Sequence, residues 1–199
     1  MARLPREFFD CDTLQVARDL LGQVLVRLLE GQRLSGRIVE VETYIGEDDL
    51  ASHARFGRTE RNAAMYGPPG CAYVYQIYGV HHCLNIVAER EGFPAAVLVR
   101  ALEPLEGLEP MRARRGGLPD HLLTSGPARL CQAMGIDRAL DKADLCAPDA
   151  VLFVEEGHAL PDEAIATSPR IGVRGDLRAR TVPWRFYVAG HPCASGRNR

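Results

Sequence analysis

Gly36-Arg-Ile-Val-Glu-Val-Glu-Thr-Tyr44 is the stretch around which the rest of the chain is organised. It lies within a predicted β-strand, residues 34–44, whose successive side chains point to opposite faces. One face receives Glu40, Glu42 and Tyr44, and the other receives Val39, Val41 and Thr43. Glu42 is either a partly desolvated functional carboxylate or a surface glutamate on an edge strand. Alternation alone favours the surface position.

The segments on either side of this strand show a mixture of helical and extended patterns. An amphipathic helix is predicted at 13–21, and a strand at 23–29 leads through a turn at 30–32 into the strand at 34–44. Further strands are predicted at 71–78, 82–90, 95–102, 151–155, 170–173 and 184–188, and helices at 61–65, 106–114 and 125–133. No repeat or linker separates these elements. The pattern predicts an α+β fold in a single domain that spans residues 1–199.

Length and composition fit a globular protein and exclude several classes. The chain has 199 residues, of which 46% are hydrophobic and 25% are charged. No run of about 18 apolar residues is present, as a membrane span would require. The first residues lack the apolar centre of a signal peptide. We therefore expect a soluble cytoplasmic protein, associated with the nucleoid if the source is prokaryotic.

The net charge of −2 argues by itself against a nucleic-acid-binding protein, but the charges are segregated along the chain. The segment from Arg170 to the last residue contains seven arginines and one acid. Two further clusters comprise Arg55, Arg58 and Arg61, and Arg112, Arg114 and Arg115. Segregated charges can form one basic face on a neutral protein, or they can be solvated surface charges.

Cysteines and histidines give little sign of a metal site. The six cysteines include no closely spaced pair, and His81-His82-Cys83 is the only local cluster. Neighbouring residues of a strand point to opposite faces, so these side chains converge poorly on one ion. We expect free thiols, no metal and no cofactor.

Tyrosines are concentrated in one short segment. Tyr66, Tyr73, Tyr75 and Tyr78 are four of the six in the chain. A hairpin is predicted here with Gly79 near its tip. Its aromatic side chains either pack the sheet or hold nucleic-acid bases by stacking, and a tyrosine at the tip could enter a base stack.

Several motifs follow one another in a fixed order. They are Val41-Glu-Thr-Tyr-Ile-Gly46, His53, Arg61-Asn62, Tyr73-Val-Tyr-Gln-Ile-Tyr-Gly79, Asn85, Arg100-Ala-Leu-Glu-Pro-Leu-Glu-Gly107, Ser125-Gly-Pro127, Arg170-Ile-Gly-Val173 and Arg185-Phe-Tyr187. In this order and spacing they resemble the alkyladenine (3-methyladenine) DNA glycosylase family of the mammalian type. The resemblance covers residues 5–190. It implies a mixed domain with a curved antiparallel sheet, a protruding β-hairpin and surrounding helices, and no metal.

The resemblance also implies a reaction. Glu42 corresponds to the general base that activates a water molecule, and Arg100 corresponds to an arginine that helps to hold that water. The main chain at Ile171 supplies a further contact. A damaged purine such as 3-methyladenine or 7-methylguanine is flipped out of double-stranded DNA, and its N-glycosidic bond is hydrolysed to leave an abasic site. Hypoxanthine and ethenoadenine are further candidate lesions.

Other matching residues correspond to those that contact the base and the DNA. Tyr44 and His53 correspond to the pair that encloses the flipped base, with Tyr75 at its edge. Asn85 borders the pocket, where it can obstruct a guanine amino group. The DNA contacts implied are Tyr78 in the minor groove and Arg58, Arg61 and Arg115 at phosphates. We expect a monomer.

This chain differs from the mammalian pattern at two places. His81-His82 replaces more aromatic or apolar residues at the hairpin, and the loop between His53 and Arg61 is one residue shorter. The shorter loop weakens the assignment of Arg58. Lys142 is the only lysine, and a glycosylase that also cuts the DNA strand needs an amine, usually a lysine. Unless the N-terminal amine serves instead, we therefore expect hydrolysis to stop at the abasic site.

Three functions other than that of a DNA glycosylase are compatible with parts of the sequence. A nucleoside or N-glycoside hydrolase acting on small molecules could use the same Glu42, but it needs neither an arginine face nor an exposed Tyr78. A non-catalytic nucleic-acid-binding module would tolerate Glu42→Gln. A structural domain with an aromatic core and no ligand fits the ordered motifs least well.

Overall fold

One antiparallel sheet forms the centre of the structure. The computed structural model describes residues 2–195, and within this range eight strands pair into the sheet. They are β1 Val24–Leu29, β2 Gln32–Ile45, β3 Ala72–Ile77, β4 His81–Val87, β5 Ala95–Glu106, β6 Leu152–Glu155, β7 Ile165–Ser168 and β8 Arg185–Val188. The order is β3-β4-β5-β2-β1-β6, with β8 paired to β2 and β7, so the sheet is not closed into a barrel.

β2 is a central strand because it is paired along both of its edges. β5 follows one edge for almost its whole length, while β1 and then β8 occupy the other. Glu42 pairs with Leu98 of β5 and Arg185 of β8, and it is completely buried. The surface position that alternation favoured for Glu42 is therefore wrong. The predicted α+β class with an antiparallel sheet is confirmed.

Two β-bulges interrupt the pairing of β2 with β5 beside Glu40. From Glu40 to the next residue of β2, the partner on β5 moves from Ala101 to Val99, which leaves Arg100 as an extra residue. A second irregularity leaves Val39 without a partner on β5. Bulges re-aim side chains and are frequent beside active sites. Val39 accordingly packs with Ala101 outside the main core, so the alternation predicted for this part of the strand is wrong.

Six α-helices surround the sheet in the described part of the chain. They are α1 Arg6–Phe9, α2 Thr13–Leu20, α3 Leu108–Arg114, α4 Asp120–Leu123, α5 Pro127–Met134 and α6 Leu177–Thr181. The carboxylate of Asp12 caps α2 by accepting two backbone N–H groups. α5 begins with Pro127 and ends at Gly135 in the left-handed conformation. Both helices pack against the sheet and enclose the main apolar core.

Two tight hairpins connect neighbouring strands. The β1–β2 loop consists of Glu30 and Gly31, both with positive φ, as expected of a two-residue hairpin turn. The β3–β4 loop has three residues, beginning with Tyr78, whose φ is 51°. A left-handed conformation is uncommon for an aromatic residue. The tip of this second hairpin projects into solvent, where the side chain of Tyr78 is 90% exposed.

The structure differs from the predicted elements at three places. Residues 170–173 do not form a strand, because Gly172 is left-handed with φ 70° and the side chain of Arg170 is tied into the interior. β7 was not predicted. The predicted helix at 61–65 is a 3-10 helix at Ala63–Tyr66, and a second one covers His53–Phe56. No helix between residues 2 and 195 is long and apolar enough to cross a membrane.

Candidate active site

A pocket of about 440 Å³ opens at one face of the sheet. Its wall is formed by β2, β3, β4 and β5, by the 3-10 helix His53–Phe56, and by the segment 171–174. This volume lies within the range of about 300–1,000 Å³ that is usual for small-molecule sites. The pocket can therefore hold a ligand the size of a nucleobase.

Glu42 lies directly behind the pocket wall, and all of its described polar contacts come from residues that line it. The main-chain N–H of Ile171 donates to Oε1 at 2.6 Å, and the hydroxyl of Tyr44 donates to Oε2 at 3.0 Å. Nη1 of Arg100 lies 3.1 Å from Oε2. Contacts from three separate parts of the chain thus fix the carboxylate in one orientation. Opposite charge and hydrogen bonds offset the cost of burying it.

Arg100 joins two buried carboxylates. Its Nε donates to Glu40 at 2.9 Å, while its Nη1 pairs with Glu42. Burial lowers the pKa of Arg100, but the charges of Glu42 and Glu40 raise it by more, so the net shift is upward. The bulge at Arg100 explains the geometry, because the extra residue can reach two carboxylates that lie two positions apart on β2.

Arg170 anchors the segment that carries Ile171. Its guanidinium forms two hydrogen bonds with the carboxylate of Asp49, at 2.6 and 2.8 Å, and donates to the main-chain oxygen of Thr43 at 2.9 Å. The same group lies 4.8 Å from the ring centroid of Tyr44. Arg170 and Asp49 are both buried. This ion pair holds the Ile171 N–H and the Tyr44 ring against the strand that bears Glu42.

Aromatic rings form the opposite part of the pocket. His53 packs edge-on against Tyr75 with centroids 4.5 Å apart, and its Nδ1 lies 2.7 Å from the hydroxyl oxygen of Tyr73. Tyr73 and Tyr75 lie on one face of β3, as predicted, with centroids 5.4 Å apart. Burial, with the nearby charges of Arg61 and Arg55, lowers the pKa of His53 to about 4. The imidazole is therefore neutral at neutral pH and adds no positive charge to the pocket.

Arginines surround the opening of the pocket. We call Arg55, Arg61 and Arg174 the rim arginines; all three line the pocket and are exposed. None of them lies within 4 Å of a carboxylate among residues 2–195. Arg58 is also exposed, with its guanidinium 5.9 Å from the ring of Tyr66. Unpaired guanidinium groups at a pocket mouth are suited to phosphate oxygens.

The β3–β4 hairpin brings an exposed aromatic residue to the same opening. Ile77 lines the pocket, and the next residue is Tyr78 at the tip. The site thus combines a buried carboxylate, an aromatic slot, unpaired arginines and a projecting ring. In a comparison with known families, the family model described as methylpurine-DNA glycosylase matches residues 7–192 of this chain.

The chain belongs to the methylpurine-DNA glycosylase family. A protein of Methanocella arvoryzae, named as a candidate 3-methyladenine DNA glycosylase, is 52% identical over 99% of this chain and 98% of its own length. Proteins with the same name from Alkaliphilus oremlandii and Chlorobaculum parvum are each 45% identical, over 97% and 98% of this chain and 98% and 91% of their own lengths. The predicted family is confirmed, and with it the prediction of an enzyme of the DNA glycosylase class that acts on DNA.

Most of the residues that the family resemblance singled out come together in the structure. Those that line the pocket are Tyr44, His53, Arg61, Tyr75, Asn85, Arg100 and Ile171, and Glu42 lies just behind them. Arg115 does not join them: it donates to the main chain of Leu123 and to Gln132 beside α5. Its role at a DNA phosphate, like the roles of the other site residues in this glycosylase, stays a prediction.

Sequence patterns did not reveal the residues that hold the site in place. Glu40, Asp49, Arg170 and Arg185 are all buried and paired, whereas the sequence shows Arg170 and Arg185 only as parts of motifs and of an arginine-rich segment. The oppositely charged partners are distant along the chain: Arg100 and Arg185 lie 60 and 145 residues from Glu40, and Arg170 lies 121 residues from Asp49. The two acids of β2 share one face, and this was the one sign of the cluster in the sequence. Their charge alone, however, indicated a surface position.

Proposed function

We propose that this methylpurine-DNA glycosylase releases alkylated purines from double-stranded DNA by hydrolysis, with Glu42 as the general base. One observation supports this most strongly. A completely buried carboxylate is fixed between Arg100, Tyr44 and the Ile171 N–H at the wall of a pocket of nucleobase size. A group held in this way is pre-organised for proton transfer and charge stabilisation, rather than for stability alone.

The contacts of Glu42 leave one acceptor position of its carboxylate for a water molecule. An ionised carboxylate offers about four acceptor positions. Tyr44 and Arg100 occupy those of Oε2, and the Ile171 N–H occupies one of Oε1. The remaining position of Oε1 accepts a proton from water as the water attacks the anomeric carbon of the extruded nucleotide. The carboxylate also stabilises the oxocarbenium character of the sugar as the base departs.

The aromatic side of the pocket suits a cationic base. Alkylation at N3 or N7 makes a purine positively charged, so that it departs without a proton from the enzyme. His53 is neutral at neutral pH, and the faces of Tyr44 and Tyr75 can attract a cation. We propose 3-methyladenine and 7-methylguanine as the principal substrates. Hypoxanthine and ethenoadenine are neutral, gain less from these faces and need protonation to leave.

The outer surface of the site favours DNA over a free nucleoside. A base within a duplex has to be extruded before an enzyme can reach it. Tyr78 is 90% exposed beside the pocket opening, where it can enter the vacated space in the base stack. The rim arginines can contact the phosphates on either side of the extruded nucleotide. A hydrolase of small nucleosides uses none of these features.

The product is an abasic site rather than a cut strand. Lys142 is the only lysine in the sequence, and it is exposed and absent from the described pocket wall. Without an amine at the anomeric carbon, a Schiff base with the sugar does not form on a side chain. Water is the nucleophile, and the reaction ends when the glycosidic bond is broken.

A base-release assay tests this function. Purified protein is incubated with a duplex that carries one 7-methylguanine, and the free base and the abasic site are measured under single-turnover conditions. Glu42→Gln should lower the rate by about 10²–10⁴-fold, the usual contribution of a general base, while binding to the lesion duplex is retained. An unchanged rate in Glu42→Gln would remove Glu42 from its role. Release from a free nucleoside at the rate seen with the duplex would favour the small-molecule alternative.

A further inference from the structure

Glu40 is a second buried carboxylate that the proposed reaction does not use. Its side chain is completely buried, and its two oxygens accept four hydrogen bonds from other described residues. Oε1 accepts from Nε of Arg185 at 2.7 Å, from Nε of Arg100 at 2.9 Å and from the hydroxyl of Ser195 at 2.8 Å. Oε2 accepts from the main-chain N–H of Ser195. A carboxylate so fully satisfied is fixed in place as firmly as Glu42.

Glu40 and Glu42 compete for the same cation. Both lie on one face of β2, and Arg100 reaches each of them, with Nε 2.9 Å from Glu40 and Nη1 3.1 Å from Glu42. Arg185 adds the second positive charge on the side of Glu40 only. The cluster therefore contains two carboxylates and two guanidinium groups in a buried volume, where charges interact more strongly than in water.

We infer that Glu40 is a positioning residue that fixes Arg100 and shares its charge, and so sets the strength of Glu42 as a base. The inference rests on the proposed function. If Arg100 paired with Glu42 alone, its charge would stabilise the ionised carboxylate more strongly and make Glu42 a weaker proton acceptor. A second carboxylate on the same guanidinium opposes that effect. General bases work best when their proton affinity is matched to the working pH.

Other groups around the two carboxylates come from every element packed against them. On the side of Glu42 they are the hydroxyl of Tyr44, the Ile171 N–H and, farther away, Tyr75 of β3 and Cys83 of β4. Arg170, paired with Asp49, lies behind the ring of Tyr44. On the side of Glu40 they are Arg185 of β8 and Ser195. Of these charges, only Glu40 pairs with the guanidinium that contacts Glu42.

The test is the pH dependence of single-turnover release of 7-methylguanine from a duplex with enzyme in excess. This base is already cationic, so the acid limb of the profile reports protonation of the general base rather than of the leaving group. Glu40→Gln keeps the size and most hydrogen bonds of the side chain but removes its charge. We expect the acid limb to move to lower pH by about one unit, since Arg100 then serves Glu42 alone.

Two further variants make the electrostatic effect separable from a loss of packing. Glu40→Asp retains the charge and should leave the acid limb at its wild-type position while lowering the plateau rate. Arg185→Gln removes the second cation and should move the limb to higher pH, opposite to Glu40→Gln. If Glu40→Gln does not fold, the direction in which Arg185→Gln moves the acid limb decides whether the inference holds.

The outcomes distinguish this inference from the proposed function. The first outcome concerns a wild-type protein whose pH profile of base release has an acid limb. If neither Glu40→Gln nor Arg185→Gln moves that limb, Glu40 is only structural and the inference is overturned. If Glu42→Gln shows the same profile as the wild type, the proposed base is wrong and the proposed function fails. Opposite shifts in the two charge variants support the sharing of Arg100.

Discussion

Arginine serves opposite purposes in the interior and at the opening of the pocket. In the interior, Arg100 and Arg170 are buried, and each pairs with carboxylates that keep it in one position. At the opening, the rim arginines are exposed and have no carboxylate within 4 Å in the described structure. The interior arginines are committed to the protein, whereas the rim arginines remain available to a ligand. Changes in the interior should therefore affect stability and chemistry, and changes at the rim should affect binding alone.

The largest effect is expected from breaking an interior pair. Asp49→Asn removes the charge opposite Arg170 and leaves a buried guanidinium without its partner, which usually costs about 3–5 kcal/mol. Urea denaturation should show this as a large loss in the free energy of unfolding. The matched control is Asp120→Asn, in an exposed pair with Arg112, which should leave the denaturation midpoint unchanged. Similar midpoints in both variants would remove the distinction between interior and surface pairs.

A smaller effect is expected at the hairpin tip, on binding. Tyr78→Ser removes an exposed ring that can stack against DNA, and it should weaken binding to a lesion duplex by about tenfold, since stacking contributes about 1–3 kcal/mol per base. Fluorescence of a 2-aminopurine beside the lesion reports extrusion of the base. Val80→Ser, at the same tip, changes an exposed apolar residue without a ring and should have less effect. Equal losses in both variants would show that Tyr78 has no special role.

At the rim, the expected change is in the salt dependence of binding. Arg61→Ala should weaken DNA binding several-fold and reduce the slope of log affinity against log salt by about 1, as for the loss of one phosphate contact. Binding is measured by fluorescence anisotropy at several salt concentrations. Arg112→Ala removes an arginine that is already paired with acids and should leave the slope unchanged. An unaltered slope in Arg61→Ala would mean that this residue does not contact a phosphate.

A pH-dependent effect on stability is expected at the aromatic side of the pocket. Burial, with Arg61 and Arg55, lowers the pKa of His53 to about 4, whereas in the unfolded chain it has the ordinary value near 6.5. Between these values the unfolded chain binds a proton that the folded protein does not, so the free energy of unfolding should fall as the pH is lowered through this window. Above it the stability is fully retained. Urea denaturation of His53→Gln should show a weaker pH dependence than the wild type, and identical dependence would contradict the assignment.

The apolar pattern of β2 was sufficient to predict the strand, and the mixture of helical and extended patterns along the chain was sufficient to predict the α+β class. Its position in the sheet was not predictable from that pattern, because alternation of side chains does not show which strands lie on either side. The bulge that redirects Arg100 cannot be predicted from the sequence either, since one extra residue in a strand does not change its composition. The contact of Ser195 with Glu40 joins residues 155 positions apart. Such contacts are decided by tertiary packing, not by local sequence.

The resemblance to a known family supplied what the patterns lacked, and the structure shows why it could. The motif residues Tyr44, His53, Tyr75, Asn85 and Arg100 come from four strands and a 3-10 helix, yet all line one pocket. Arg115 lies apart from this pocket, and its guanidinium is engaged beside α5.

The central position of β2 has a consequence for attempts to engineer the range of lesions. One strand both connects the halves of the sheet and carries Glu42, the proposed general base, so mutant libraries targeted there would yield mainly unfolded or inactive clones. Diversity is better introduced at Ala51 and Val173, which line the pocket from outside the sheet. New selectivity can be sought at those positions without disturbing the catalytic framework.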